Sequence, residues 1–274
     1  MEYLRVREGS RIACDIYLFD MKGREMARSI AELCNLVGDE ARLIVGVLSG
    51  FYEYLIAESL ASLLGFSRVS LPKEFVGDGV YWNGSFKGGM AFMAPPRLPD
   101  IEVHAYGERA IVEVTLGFGE EHVYRELGEA LRHETRFGEP EYRLLVLPSY
   151  APRSLRIRGV TLLKNLALAY VLVNGRKVKG LRELVHEVST LDIGTVHKEV
   201  KRAVRRILSE NSSNSNKVRK ILERCKLCTS WSAIYRIVSE ALIRKAQPYL
   251  ETGLLFGKTL ESIALILSTQ YTSN

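Results

Sequence analysis

The feature that most restricts the fold of this chain is the stretch 99–133, PDIEVHAYGERAIVEVTLGFGEEHVYRELGEALRH. Ile101, Val103 and Ala105 alternate with other residues, Gly107 and Glu108 offer a turn, and the run from Ile111 to Leu116 is rich in β-branched residues before Gly117 and Gly119. Alternation broken by a glycine turn is the pattern of a β-hairpin. The apolar residues then recur at helical spacing over 120–136, and a second short apolar run, 142–147, ends at Pro148. Strand, turn, strand, helix and strand in that order predict a mixed sheet in which the helix crosses over to a parallel strand.

Chemistry is carried on the same stretch. Residues two apart in a strand share a face, so Glu113 and Thr115 point together, and Asp100, at the start of the neighbouring strand, is expected to approach them. Two carboxylates held close repel unless a proton or a cation lies between them, and hard oxygen donors suit Mg²⁺ or a related ion. Two turns of helix separate Glu126 from His133, which places both on one side with Glu129 near the same line. The alternative reading of this helix is a solvated face of Glu126, Glu129 and Arg132, with His133 near a carboxyl end.

The rest of the chain is read around this unit. Residues 2–19 alternate as an amino-terminal hairpin, with Ile12, Cys14, Ile16 and Leu18 along one face. Helical spacing follows over 24–37 and 39–64, with a break expected at Gly50 and a stop at Gly65. Glu53, on the second of these patterns, is either an edge residue or an accessory metal ligand. Between Phe66 and Pro96 the Gly, Pro and aromatic residues predict short strands and loops, where Lys73 and Lys87 could meet a phosphate or only solvent. Arg153, Arg156 and Arg158 fall in a loop or first turn, and 160–173 is an apolar segment that suits a buried helix or a strand pair, with helix expected for its first part. From Leu181 onward the pattern is helical, interrupted by a polar link, Glu210-Asn-Ser-Ser-Asn-Ser-Asn216.

Length and charge bound the class. A chain of 274 residues can bury a substantial core, in one large domain or two smaller ones. We divide it into a core with the amino-terminal hairpin and helices, 1–180, and a basic helical region, 181–274. The apolar runs 43–52 and 166–173 are too short for a bilayer, and no secretory signal pattern opens the chain, so a cytoplasmic protein without membrane association is expected. The formal charge is +6, yet residues 195–245 hold 13 Lys/Arg against 4 Asp/Glu, a local +9 beside −3 for the remainder. In the helix expected over 195–209, Lys198, Lys201, Arg202, Arg205 and Arg206 form one basic stripe opposite an apolar side. Lys217, Arg219, Lys220, Arg224 and Lys226 extend the charge. Such a stripe suits DNA phosphates, or it is the solvated face of a helical bundle. Cys225 and Cys228 form a lone C-x-x-C, a weak zinc signal; a local disulfide is an alternative, and a pair of buried thiols is the default reading. Glutamine occurs only at 247 and 270, a composition that fits a thermophilic source.

Pro99-Asp100, a strand, then Glu113-Val114-Thr115 resembles the PD-(D/E)xK nuclease signature, with threonine in the lysine position. The series Asp100, Glu113, Glu126 and His133, the EVTL wording and a following helix that ends in arginine and histidine resemble the cleavage domain of the AlwI family of type IIS restriction and nicking endonucleases. The resemblance spans about 53–147. It implies an α/β fold with a restriction-endonuclease-like core, a central mixed sheet flanked by helices, followed by a helical carboxy-terminal region. It also implies a metal-dependent DNA endonuclease that uses Mg²⁺, with Mn²⁺ able to substitute. Asp100 and Glu113 would then be metal ligands, helped by the Val114 carbonyl. Glu126 would be a further ligand or water activator, and His133 would contact the scissile phosphate or move a proton.

Two departures qualify the resemblance. A hydroxyl at Thr115 supplies neither positive charge nor a base at neutral pH, so another group must take that part, and Glu126 with His133 is the expected pair. The chain also has little room for a separate DNA-recognition region. It resembles the short catalytic subunits that work with a larger recognition partner. One centre cuts one strand, so a double-strand break needs a homodimer, a partner or two events. The alternatives are a nuclease fold that binds DNA or a partner without catalysis, and a repair nuclease selective for branched or single-stranded DNA.

Overall fold

The computed structural model describes residues 12–13, 16–17, 39–70, 77–83, 98–115, 119–149, 151 and 159–210. The expectations for Lys73, Lys87, Arg153, Arg156, Arg158, the helix over 24–37, the polar link, the Lys217–Lys226 charges and all four cysteines lie outside these residues.

The order is α1 (Asp39–Leu64), β1 (Gly79–Trp82), β2 (Ile101–Ala105), β3 (Glu108–Val114), α2 (Glu120–Arg132), β4 (Tyr142–Leu147), β5 (Thr161–Lys164), α3 (Asn165–Val173), α4 (Leu181–Ser189) and α5 (Ile193–Glu210). The five strands form one sheet in sequence order. β1, β2 and β3 run antiparallel, whereas β3, β4 and β5 run parallel. The α/β class and the central mixed sheet flanked by helices are thus as expected, with α2 as the crossover from β3 to β4.

Register sorts the side chains into two faces. Val80, Trp82, Ile101, Val103, Ala110, Val112, Val114, Leu144 and Val146 belong to the main apolar cluster, which also takes residues of α1, α3, α4 and α5. The opposite face carries Ile111, Leu145 and Leu147, and on it α2 lays Val123, Leu127 and Ala130. These three recur at i, i+4 and i+7, one stripe of the helix. Each large side chain buried there contributes roughly 1.5–3 kcal/mol. That packing fixes where the polar edge of α2 falls. Leu181, Leu184, Val188, Val196 and Val200 lie in the same cluster as the sheet.

Five expectations are corrected. The amino-terminal hairpin is not supported, since residues 12, 13, 16 and 17 are helical and Ala13 and Ile16 are fully buried. Ile12, Ala13, Ile16 and Tyr17 stand at i, i+1, i+4 and i+5, one helical face that alternation had masked. Gly50 does not break α1, which continues from Asp39 to Leu64 and ends at Gly65 with φ 82°. The first part of 160–173 is strand β5 rather than helix, because Leu144 to Leu147 offers it a parallel partner. Within the hairpin the turn is Tyr106-Gly107, and α2 stops at Arg132, four residues earlier than expected.

Candidate active site

The β2–β3 register sets Ile101 opposite Val112, and one step further Asp100 meets Glu113. The two are cross-linked through the backbone: Val114 N–H donates to Asp100 Oδ2 at 2.9 Å, and Asp100 N–H reaches Glu113 Oε2 at 3.4 Å. Asp100 is half-buried and Glu113 is buried. Burial, with the charges of Glu53, Glu113 and Glu126 around it, pushes the Asp100 carboxyl well above the usual aspartate range, against the Val114 hydrogen bond. Three acids from α1, β3 and α2 therefore act on a fourth.

Glu53 reaches this group from α1. It is buried, and Trp82 Nε1 approaches its Oε2 at 3.4 Å, while the Trp82 ring packs edge-on against Tyr54.

At the carboxyl end of α2, His133 caps the helix and its Nδ1 lies 2.5 Å from Glu113 Oε1. This hydrogen bond and the Glu113 charge raise the His133 pKa, although burial opposes them. Its other ring nitrogen, Nε2, has no hydrogen bond among the described residues. Arginines fix the position of this helix end. Arg143 Nη1 donates to the carbonyls of Ala130 (2.9 Å) and His133 (2.5 Å). Arg136 binds the fully buried Glu102 through its backbone N–H at 2.8 Å and its Nε at 3.1 Å, and reaches Asn83 Oδ1 through Nη2 at 2.7 Å. Asn83 in turn holds the chain on either side of the Pro99–Asp100 bond, donating Nδ2–H to Pro99 O at 2.8 Å and N–H to Asp100 O at 2.9 Å. His104 Nε2 completes the group 2.6 Å from Glu102 Oε1. A buried charge with this many partners is satisfied, and it anchors the neighbouring backbone.

The amino-terminal half of α2 meets the end of β3. Thr115, buried and with its N–H bound to Val146 O at 3.1 Å, has its Oγ1 2.7 Å from His122 Nε2. Arg125 Nη2 lies 2.7 Å from His122 Nδ1 and 2.9 Å from Glu126 Oε1. Glu126 Oε1 is also 3.5 Å from His122 Nε2. The Glu126 hydrogen bond raises the Arg125 pKa further.

Asp100, Glu113 and His133 are thus in one hydrogen-bonded group, and Glu126 belongs to a second, with His122 and Arg125. Glu53 joins through its charge on Asp100. The Thr115 neighbour is His122, a residue the sequence reading passed over together with Arg125, Glu102 and His104. A signal for His122 existed: 122, 126, 129 and 133 stand at i, i+4, i+7 and i+11 along one side of α2. Lys198, Lys201, Arg202 and Arg206 are exposed along α5, whose Val196, Val200 and Ala203 are buried; the side chain of Arg205 lies outside the description.

The donors fit a hard divalent cation in chemistry, since carboxylates that raise one another's proton affinity are stabilised by such an ion. Among the described residues, however, no three His, Cys, Asp or Glu side chains are gathered as ligands of one point. Asp100 is turned to the Val114 N–H, and Glu113 is divided between His133 and the Asp100 N–H. No protein-family model matches the chain, and neither a curated protein nor a solved structure matches it. Among the described residues no helix is long and apolar enough to cross a membrane.

Proposed function

We propose that the protein is a divalent-metal-dependent DNA endonuclease of the restriction or nicking type, with a restriction-endonuclease-like core related to the AlwI cleavage domains. The observation that carries this reading is the pairing of Asp100 with Glu113 across β2 and β3, because the Pro-Asp…Glu-x-Thr signature has chemical meaning only if its two acids meet. The acids contributed by α1 and α2 support it.

In this reading Asp100 and Glu113, with the Val114 carbonyl and Glu126, would hold Mg²⁺ or Mn²⁺, and Glu53 would assist. Such an ion would supply charge neutralisation of the phosphate and a lowered pKa for the attacking water. The chain's own groups do the rest. Water adds to phosphorus, the bond to the leaving oxygen breaks, one proton passes from the water to a base and another reaches the leaving oxygen. His133, with Nδ1 engaged by Glu113, has Nε2 available for a proton or a phosphate oxygen. The exposed basic stripe of α5 binds the backbone of DNA, and a second copy or a larger recognition subunit supplies the second cut.

Supercoiled plasmid incubated with Mg²⁺ or Mn²⁺ tests the reading. Nicked or linear product from the wild type, lost in Asp100→Ala and Glu113→Ala while both stay folded, is the expected result; full activity in both variants would overturn the assignment. A second reading, a nuclease fold that binds without cutting, is favoured by one observation, the absence of a gathered ligand set among the described residues. DNA retention with no product under either metal would select it.

A further inference from the structure

Within the nuclease reading, on which this inference rests, Asp100 must keep its place beside Glu113 although it stands just outside β2 and follows a proline. Pro99 has no N–H, so its carbonyl is the only backbone group by which it can be held. Two carboxylates held close also repel, which works to move the strand ends apart. We propose that Asn83 and Arg136 are positioning residues that brace Asp100 against Glu113 and His133.

Asn83 directly follows β1 and, in the continued β1–β2 register, lies opposite Asp100, whose carbonyl accepts its N–H at 2.9 Å. Its buried side chain spans two partners: Nδ2–H donates to Pro99 O at 2.8 Å, and Oδ1 accepts from Arg136 Nη2 at 2.7 Å. A guanidinium only donates and a carbonyl only accepts, so the group between them must do both, which a carboxylate or an apolar side chain of the same size cannot. Arg136 follows His133 by three residues. His133 Nδ1 meets Glu113 Oε1 at 2.5 Å, and Asp100 N–H reaches Glu113 Oε2 at 3.4 Å. The contacts therefore close a ring from Asp100 through Glu113, His133, Arg136 and Asn83 back to Asp100. No member of such a ring shifts without moving its neighbours.

Arg136 is itself held on several sides. Its N–H and Nε donate to the two oxygens of the fully buried Glu102, and its guanidinium lies 5.6 Å over the Tyr81 ring. It sits in a tight turn: Gly138 N–H donates to Thr135 O at 3.1 Å, Thr135 Oγ1 donates to Gly138 O at 2.8 Å, and Gly138 has φ 100°. Arg109 Nη1 ties the next residue, donating to Phe137 O at 2.7 Å. Tyr81 and Glu102 are register partners in β1 and β2, so the sheet fixes the turn, and the turn fixes the Asn83 side chain. The charge of Arg136 is matched by Glu102, and what this pair supplies to the site is position rather than charge.

Two variants test the brace, with one readout that needs no activity and one that does. Asn83→Ala removes both side-chain contacts. Glu102→Leu/Arg136→Met replaces the buried ion pair by apolar residues of similar volume, a change that such sites tolerate, and releases Asn83 from Arg136. In the metal-free protein, amide hydrogen exchange at Val114, whose N–H is bound to Asp100 Oδ2, should become about tenfold faster in both variants, as when one hydrogen bond is weakened. Leu181 N–H, bound to Glu108 at the start of β3, should keep its rate. Equal acceleration there would mark a general loosening and overturn the positioning role, as would an unchanged Val114. In the plasmid assay both variants should lose on the order of 10²-fold in rate, as for a displacement of about 1 Å at a reacting group, and should need more Mg²⁺ for the half-maximal rate. If the wild type cuts and either variant cuts equally well, the brace is wrong and the nuclease reading stands. If the wild type cuts under neither metal, the nuclease reading falls, and exchange at Val114 alone decides whether the ring holds the pair.

Discussion

Glu113 Oε1 and His133 Nδ1 lie 2.5 Å apart, so the last residue of the α2 region is tied to the middle of the acidic face by a charge-assisted hydrogen bond. The pair joins an element that carries bases to one that carries acids, and it makes the stability of the metal-free protein depend on pH.

The sign of that dependence follows from the direction of the His133 shift. Its folded pKa is raised by Glu113, so its contribution is fully present below the ordinary imidazole value of about 6.5 and is lost as pH rises through the folded value. Without added metal, His133→Ala should therefore lie below the wild type in Tm at pH 6 and approach it at higher pH. A gap of roughly 2–4 °C corresponds to about 1 kcal/mol in a chain of this size. Melting curves across pH 5.5–9 check it; a gap that does not vary with pH would refute the linkage.

Asp100 has a pH dependence of the same sign but carries the opposite expectation for its substitution. Its carboxyl is raised by burial and by Glu53, Glu113 and Glu126, so ionisation above the ordinary aspartate value near 3.9 favours the unfolded chain. Asp100→Asn keeps an oxygen for the Val114 N–H and removes the charge. The metal-free variant should melt above the wild type at pH 7, by a few degrees, and show no advantage in acid. Mg²⁺ should raise the wild-type Tm more than that of the variant, and thermal shift with and without the ion measures both.

Glu108, the first residue of β3, joins the hairpin to the helices that follow the sheet. Its Oε2 accepts the backbone N–H groups of Leu181 at 2.8 Å and Arg182 at 3.3 Å, and Tyr142 Oη donates to its Oε1 at 3.2 Å. It thus caps α4 from another element. Glu108→Ala should cost about 1–2 kcal/mol, the usual worth of a helix cap. A Cβ at Gly180 would stand 3.1 Å from the same Glu108 oxygen, so Gly180→Ala should also destabilise. Urea unfolding of both variants is the measurement, and unchanged midpoints would contradict the cap.

For the stripe on α5, Lys201→Glu and Arg202→Glu should weaken DNA binding to unrelated sequences alike. Each lost phosphate contact should lower the slope of log affinity against log salt by about 1. Salt titrations by fluorescence anisotropy separate this from a general loss of fold, which the buried Val196 and Val200 on the other side of the helix would govern.

The hairpin, α2 and β4 were legible in the sequence because each had a clean period and a turn or proline at its end. Asp100 and Glu113 met because register in a two-residue turn leaves little choice. Elsewhere tertiary packing decided. Gly50 costs a helix about 1 kcal/mol, which burial of Tyr52, Leu55 and Ile56 in the next turns outweighs. Residues 161–164 are expected as helix from their apolar run, and only a parallel partner selects the strand. His122 was not singled out, since no sequence pattern pairs it with Thr115, seven residues earlier. Glu102 was hidden for a related reason: its partner Arg136 lies 34 residues further on, and no local pattern joins the two.

The clasp at Glu108 opens β3 and the acid at Glu113 is its penultimate residue, five residues or about 17 Å further on. β3 is hydrogen-bonded on both sides, to β2 and β4, and cannot shorten or bend without breaking either ladder. Whatever grips the helices attached at Glu108 is thereby held at a set offset from Glu113. The strand serves as a ruler, and its length fixes the distance between the cap of α4 and the Asp100–Glu113 pair.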